Sequence, residues 1–261
     1  MRRLSGKSLQ LTASIGCVVL ICLVTPAASD DMVEPDASKV LQAMSGYLGA
    51  LKSFSVDYDV DIETVSFAAE KLEFSSSGEV TAQRPDKLHA TRKGALIDAE
   101  LFLDGKTLSI FGKKLNGYIQ LPATSIDGAV AAVDSDLDFD APGADFLVSK
   151  PFDQGSTDMV SGRHIGMAYV DGVAVHHLAF RGKDVDWQLW VQEGDKPLPL
   201  KYVITNKWMT GAPQYTLHFR NWNIAPVIDA ATFSFSPPAG AKQLSDVSLN
   251  QIGELADEGV Q

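Results

Sequence analysis

Phe54-Ser55-Val56-Asp57-Tyr58-Asp59-Val60-Asp61-Ile62-Glu63 is the stretch that decides the fold. Every even position is apolar and every odd position is Ser, Asp or Glu. Successive side chains of a strand point to opposite faces, so a period of two describes an antiparallel strand with one face on the core and one in water. The odd row Asp57, Asp59, Asp61 invites a calcium reading. Carboxylates two apart on one strand point the same way without converging, and the glycine spacing of a calcium loop is absent, so the row reads as a solvated face.

Working outward from this strand, residues 36–52 repeat Val40, Leu41, Met44, Leu48 and Leu51 at helical spacing, with Asp36 or Ser38 placed to cap the start. Downstream, Lys71 to Ser76, Glu79 to Arg84, Lys87 to Arg92 and Asp98 to Leu103 read as further strands. Asp104-Gly105 makes a tight turn into Thr107–Phe111, and Asn116-Gly117 introduces Tyr118-Ile119-Gln120. The pattern breaks at Pro122. Residues 125–137 suit a short helix capped by Ser125, and Pro142 to Val148 suit another with proline near its first turn. Residues 122–160 are therefore expected to be a helical insertion between two sheet halves. Strands resume at Ile165 to Val170, turn at Asp171-Gly172 into Val173–Arg181, and continue through 185–191, 200–206, 214–221 and 232–236. Pro237-Pro238 ends the sheet because proline cannot donate to a ladder. Residues 241–261 are polar with little periodicity and read as a frayed tail. The fold class is α+β: one helix, about ten antiparallel strands and a helical insertion.

The chain begins Met-Arg-Arg-Leu-Ser-Gly-Lys, follows with a mostly apolar run from Leu9 to Val24, and ends that run in Thr25-Pro26-Ala27-Ala28-Ser29. This is the pattern of a secretory signal peptide over residues 1–29, too short and too interrupted for a comfortable membrane span. The expected product is periplasmic, with no stable transmembrane anchor after cleavage. Cys17 and Cys22 both lie inside this leader; the apolar run continues beyond Cys17, and Cys22 follows bulky Leu20-Ile21, so neither reads as a lipid-attachment site. Cleavage leaves no cysteine, which excludes disulfides, thiol catalysis and thiolate metal ligands. The 261-residue chain has 22 basic and 33 acidic residues, a net charge of −11. The leader holds three of the basic residues and no acid, which takes the remainder to −14. Such a surface repels nucleic acid and anionic lipid headgroups at long range.

Three segments occur in an order that is similar to the periplasmic lipoprotein carrier of the Lol pathway. They are Gln83-Arg84-Pro85-Asp86-Lys87-Leu88, Asp104-Gly105-Lys106-Thr107-Leu108, and Phe233-Ser234-Phe235-Ser236-Pro237-Pro238-Ala239-Gly240. Within that superfamily the chain most resembles an uncharacterised family of predicted periplasmic proteins. That likeness is carried by Gly182-Lys183-Asp184-Val185-Asp186-Trp187-Gln188-Leu189-Trp190 and by Pro197-Leu198-Pro199-Leu200-Lys201-Tyr202-Val203-Ile204-Thr205, and it covers about residues 36–245. The resemblance implies an incomplete antiparallel β-barrel (LolA-like) over residues 30–240, wrapped on the N-terminal helix, with the inserted helices as a lid over a hollow that takes acyl chains. It implies that Arg84 ties the barrel wall to the lid and that Leu88 matches an apolar position of the motif. This chain is longer than the carriers, mainly over 140–165 and 182–213.

The residues themselves leave hollow and filled cores open. The even residues of 54–62, with Trp187, Leu189 and Val191, and with Tyr215, Leu217 and Phe219, supply one apolar face, which sheet-on-helix packing also needs. Arg84 either bonds helix-end carbonyls, closing the lid, or pairs at the surface with one of many acids. The late aromatics, Tyr202 and Tyr215 among them, serve as a ligand platform or as core. Trp190 is in phase with Asp186 and Gln188, opposite Trp187. The candidate ligand-binding or gating residues are thus Arg84, Leu88, Trp187, Leu189, Tyr202 and Tyr215. Adjacent His176 and His177 point to opposite faces and cannot share a metal. No zinc-protease, nucleophile-elbow or phosphate-loop motif is present, so the expectation is a non-enzyme without cofactor or metal. Its expected partners are a hydrophobic ligand or lipoprotein, or else an envelope protein recognised by an interaction module with a filled core, and no nucleic acid.

Overall fold

A computed structural model describes residues 33–137, 142–152 and 159–244. The expected signal peptide and residues 245–261 of the expected tail lie outside the described residues. Helix α1 (Pro35–Ala50) is the first element of the described residues, followed by β1 (Ser53–Val65), β2 (Lys71–Gln83), β3 (Lys87–Gly94), β4 (Asp98–Leu103), β5 (Thr107–Gly112) and β6 (Gly117–Pro122). After α2 (Ile126–Leu137) and a 3-10 turn at Ala144–Phe146 come β7 (Met159–Val170), β8 (Val173–Gly182), β9 (Val185–Gln192), β10 (Pro199–Asn206) and β11 (Gln214–Asn223). A 3-10 turn at Ala230–Phe233 and β12 (Lys242–Gln243) complete the described chain.

The twelve strands of the described residues form one open sheet in the order β12-β6-β5-β4-β3-β2-β1-β11-β10-β9-β8-β7. Two antiparallel meanders share β1 at the centre: the chain steps outward from β1 to β6, crosses by the 122–158 segment to the opposite edge, and steps back from β7 to β11. The expected α+β architecture, antiparallel and unclosed, is the one observed. The turns have the expected chemistry. Asp171 and Gly172 both take positive φ (50° and 79°), the mirror-image turn that suits the right-handed twist of a hairpin.

The quoted strand explains its own placement. Phe54, Val56 and Val60 are at most 2% exposed and join Ala37, Leu41, Met44 and Leu48 of α1 in one core. On the other face the acidic row is answered across the strands. Ser77 and Ser75 hydroxyls donate to Asp59 and Asp61 at 2.6 and 2.5 Å, Asn221 donates to Asp57 at 2.7 Å, and Arg220 pairs with Asp59 at 2.5 Å. The row is a hydrogen-bonded ladder rather than merely a solvated face. At Gly78 the missing Cβ lets the Tyr58 ring cross β2 and donate to the Thr91 carbonyl at 2.8 Å; a Cβ there would lie 2.5 Å from the ring.

Five local expectations change. Lys71 to Ser76 and Glu79 to Arg84, read as two strands, form the single strand β2, paired with β1 along its whole length. Helix α1 is not capped by Asp36 or Ser38. Glu34 is its N-cap with Pro35 at the first turn, and the Glu34 carboxylate instead accepts from the His164 backbone at 3.0 Å. Pro142 to Val148 forms only a single 3-10 turn, because Gly143 sits at φ 92°, outside helical space. Residues 232–236 are not a strand: a 3-10 turn capped by Asp229 buries Phe233, while Phe235 packs on Phe102, Phe111 and Tyr118 at 5.5, 6.1 and 5.2 Å. Side-chain packing replaces ladder bonds there. Finally, Lys242–Gln243 pairs in parallel with β6 and Leu244 packs on the core, so the sheet extends past residue 240.

His89, on the outer face of β3, packs tilted against the Phe102 ring at 4.7 Å. Burial holds its pKa below 6.5, more than Glu100 and Glu79 raise it, with Lys113 adding to the lowering. The unfolded chain therefore binds this proton more readily than the folded one. The stability His89 confers is complete above the unfolded value of about 6.5 and is lost as pH falls from there through the folded value. Thermal midpoints between pH 7.5 and 5 are expected to fall less steeply in His89→Phe than in the wild type; equal slopes would remove His89 as a source of acid sensitivity.

Candidate functional site

The concave face of the sheet is filled on one side and hollow on the other. Beneath β8, β9 and β10 the space is packed with rings. Trp187 stacks on Phe180 at 4.0 Å and on Phe152 at 5.3 Å, and Phe146 meets Phe152, Tyr202 and Phe219 edge-on at 5.0, 5.3 and 5.1 Å. Trp187, Leu189 and Tyr202 all belong to this core and are 9%, 0% and 4% exposed.

Over β1 to β5 the packing opens into an apolar cavity of about 240 Å³. Its walls are the inward residues of β1 to β5 and β11, and its roof is α2 together with residues 142–147. The hollow has a simple cause. Ala90 on β3, Ala99 on β4 and Ala129 on α2 face it, so three elements meet with small side chains where large ones would close the gap. Phe54, Leu88 and Phe146, each buried, form the closed end, while partly exposed Arg92, Ile97 and Tyr215 mark the open one. From Leu88 to Arg92 the wall runs four residues, about 14 Å at strand rise.

The roof is fastened at few points. The Arg84 guanidinium, in the β2–β3 turn, donates through Nη1 to the Leu147 carbonyl at 2.5 Å, and the Ile126 amide donates to the Pro85 carbonyl at 2.8 Å. At the open end the Tyr215 hydroxyl donates to the Pro142 carbonyl at 3.2 Å. Asp127, in the first turn of α2, accepts from the Ser149 amide and hydroxyl at 2.8 and 2.6 Å. The Arg84 guanidinium also lies 5.8 Å over the Phe54 ring. Its Nε and Nη2 are buried with no hydrogen-bond partner among the described residues. Burial lowers the Arg84 pKa and Asp127 opposes that shift.

Of the six candidates read from the sequence, Leu88 and Tyr215 line the cavity, Arg84 stands at its closed end against the inserted segment, and Trp187, Leu189 and Tyr202 lie apart in the filled half. Sequence reasoning missed Arg92, whose Nε donates to Ser76 at 2.9 Å beside the Tyr215 ring, and it missed the alanines. The alternation Ala99-Leu101-Leu103 was a readable signal for a wall, but small side chains facing one hollow from three elements are visible only once those elements are brought together. Half-buried Trp190 stacks on His177 at 4.3 Å and lies under the Lys201 ammonium at 5.2 Å, on the face away from the cavity. Among the described residues no group of three or more metal-ligating side chains converges.

Among solved structures the chain is similar to an uncharacterised conserved protein from Thermus thermophilus (12% identity, TM-score 0.48, covering 80% of this chain and 98% of that one). It is similar to LprF from Mycobacterium bovis (17%, 0.45, 75% and 96%) and to a LolA superfamily protein from Nitrosomonas europaea (11%, 0.37, 76% and 97%). No curated protein matches it. The family model described as predicted periplasmic protein (DUF2092) matches residues 37–245, nearly the whole described fold, and agrees with the export expected from the leader. The chain belongs to this family of predicted periplasmic proteins.

Proposed function

We propose that this is a periplasmic binding or carrier protein that shelters one acyl chain, of a lipid or a lipoprotein, in the cavity beneath α2 and residues 142–147. The observation that carries the reading is the cavity itself: an apolar hollow beside a fully packed core, roofed by a segment held at a few polar points. An unfilled apolar space loses dispersion contacts on every wall, and an acyl chain restores them. At about 240 Å³ it falls just under the roughly 300–1,000 Å³ of small-molecule sites, which suits one chain rather than several. The protein acts by binding, with the inserted segment as its lid and Arg84 as the fastening.

Native mass spectrometry of protein purified from its own periplasm, before and after organic extraction, tests this. An adduct of lipid mass that extraction removes is expected, together with saturable binding of a fluorescent fatty acid by the stripped protein. A bare mass and no binding of the fatty acid would favour a second reading, an interaction module for an envelope protein, which the filled aromatic half under β8 to β10 supports.

Arg84→Leu separates fastening from architecture. The substitution removes a charge-assisted bond worth about 1.5–3 kcal/mol, but also a partly buried charge that is expensive to keep. Stability is expected to stay within about 1 kcal/mol of wild type, while acyl-ligand dissociation in stopped-flow accelerates about tenfold or more. Loss of folding would make Arg84 a structural residue and remove the gating role.

A further inference from the structure

The cavity opens at one end of the sheet, and exposed apolar side chains gather there, as a second group (Ile165, Met167, Tyr169 and Val173) does along the β7–β8 edge. Strand register places the β1–β2, β3–β4, β5–β6, β8–β9 and β10–β11 turns together at the open end. Val65 pairs with Lys71, Ile62 with both Phe74 and Tyr215, Ser76 with Gly94, and Asn206 with Val185. The two hairpins that flank β1 touch, since a Cβ on Gly211 would lie 3.0 Å from Val65 Cγ2, and the Trp208 indole donates to the Lys183 carbonyl at 3.2 Å.

These turns expose Phe67 (97%), Trp208 (75%), Met209, Leu96 and Leu115. An isolated exposed apolar residue is ordinary; five on adjacent loop tips around the mouth of an apolar cavity form a rim. The same five turns (63–71, 92–98, 112–117, 181–186 and 206–213) carry eight Lys and Arg against five Asp and Glu, in a chain whose net charge is −11. Lys71 pairs with Glu63, Lys113 with Asp98 and Glu100, and Lys207 with Asp186, so these turns carry a small positive excess of three, which lessens at this end the repulsion of anionic headgroups expected from total charge. Aromatic tips beside lysines are the chemistry of a bilayer interface, where rings sit at headgroup level and ammonium groups meet phosphates.

We infer that this end docks on an anionic phospholipid bilayer, inserting Phe67, Trp208 and Met209 so that the cavity mouth faces the lipid it loads from or delivers to. The significance of the docking rests on the acyl-carrier reading, but the docking itself needs no occupant in the cavity. Flotation of the periplasmic protein, stripped of lipid, with vesicles of phosphatidylethanolamine and phosphatidylglycerol (3:1) tests it. The wild type is expected to float with the vesicles and to float less as salt rises or phosphatidylglycerol is omitted. Phe67→Ser/Trp208→Ser is expected to reduce the floating fraction at least tenfold, while Val227→Ser, an exposed apolar residue outside these turns, leaves it unchanged. Fatty-acid binding in solution by the double variant should equal that of the wild type, which keeps a docking failure distinct from a cavity failure and shows that the variant is folded. No flotation of the wild type, or equal flotation of the double variant, overturns the inference. So does self-association through these tips that the double variant abolishes while vesicles stay unbound.

Discussion

Phe146→Ala is expected to destabilise the fold by about 3–5 kcal/mol, the range for removing a buried aromatic side chain. Phe146 is 2% exposed and its ring is met edge-on by Phe152, Tyr202 and Phe219 at 5.0 to 5.3 Å. Such pairs add about 0.5–1.5 kcal/mol beyond the area they bury. In a domain of this size each kcal/mol shifts the thermal midpoint by roughly 2–4 °C, so the expected drop is about 6–20 °C. The consequence reaches past stability, because Phe146 is the anchor by which the inserted segment is set into the filled half of the core. Without it the roof of the cavity keeps its polar fastenings and the buried Ile126, Ala129 and Val133 of α2 but loses its largest apolar anchor, and acyl-ligand affinity should fall as well. A calorimetric loss below about 1 kcal/mol would mean that residues 142–152 are not docked against β10 and β11 in solution.

Ala90→Trp is expected to abolish acyl binding, weakening it at least a hundredfold, about 2.8 kcal/mol. Ala90 lies midway along β3 between Leu88 and Arg92, with Val80 and Leu101 opposite it across the sheet, so an indole there projects into the hollow itself. Core overpacking usually costs about 1–3 kcal/mol, but here the ring enters empty space and replaces missing contacts. The thermal midpoint should therefore hold or rise while titration with a fluorescent fatty acid goes flat. The graded variant Ala90→Leu should give an intermediate affinity. Binding equal to wild type in both would put the ligand somewhere other than this cavity.

The reading of Phe54–Glu63 held because strand periodicity is local: one buried face forces alternation, and a one-residue slip would expose Val56 and Val60. The turns held for the same reason, since positive φ at Gly105, Asn116 and Gly172 is written in residue type. The failures were non-local. Phe233 and Phe235 alternate like a strand, yet Phe233 is buried by a 3-10 turn and Phe235 is placed by ring packing on β4 to β6. Trp187, Leu189 and Tyr202 carry the pattern of a cavity wall, yet Phe146 and Phe152, brought in from the insertion, fill the space in front of them. Of the residues read from the sequence, Leu88 and Tyr215 line the cavity and Arg84 bonds the Leu147 carbonyl. Arg92 and the alanine-lined hollow were not legible, because a void is an absence that no single segment encodes.

The sequence by itself determined the α+β class, the central half-buried strand, the hairpin turns, the inserted segment and the family, all of which follow from short-range periodicity, turn chemistry and motif order. Only the tertiary structure decided that one half of the concave face is packed and the other hollow, that Arg84 reaches the Leu147 carbonyl, and that apolar tips and basic residues gather around the cavity mouth. Those outcomes depend on which side chains from distant segments arrive at the same depth. Volume and charge at a point in space are sums over the whole chain, whereas periodicity belongs to each segment alone.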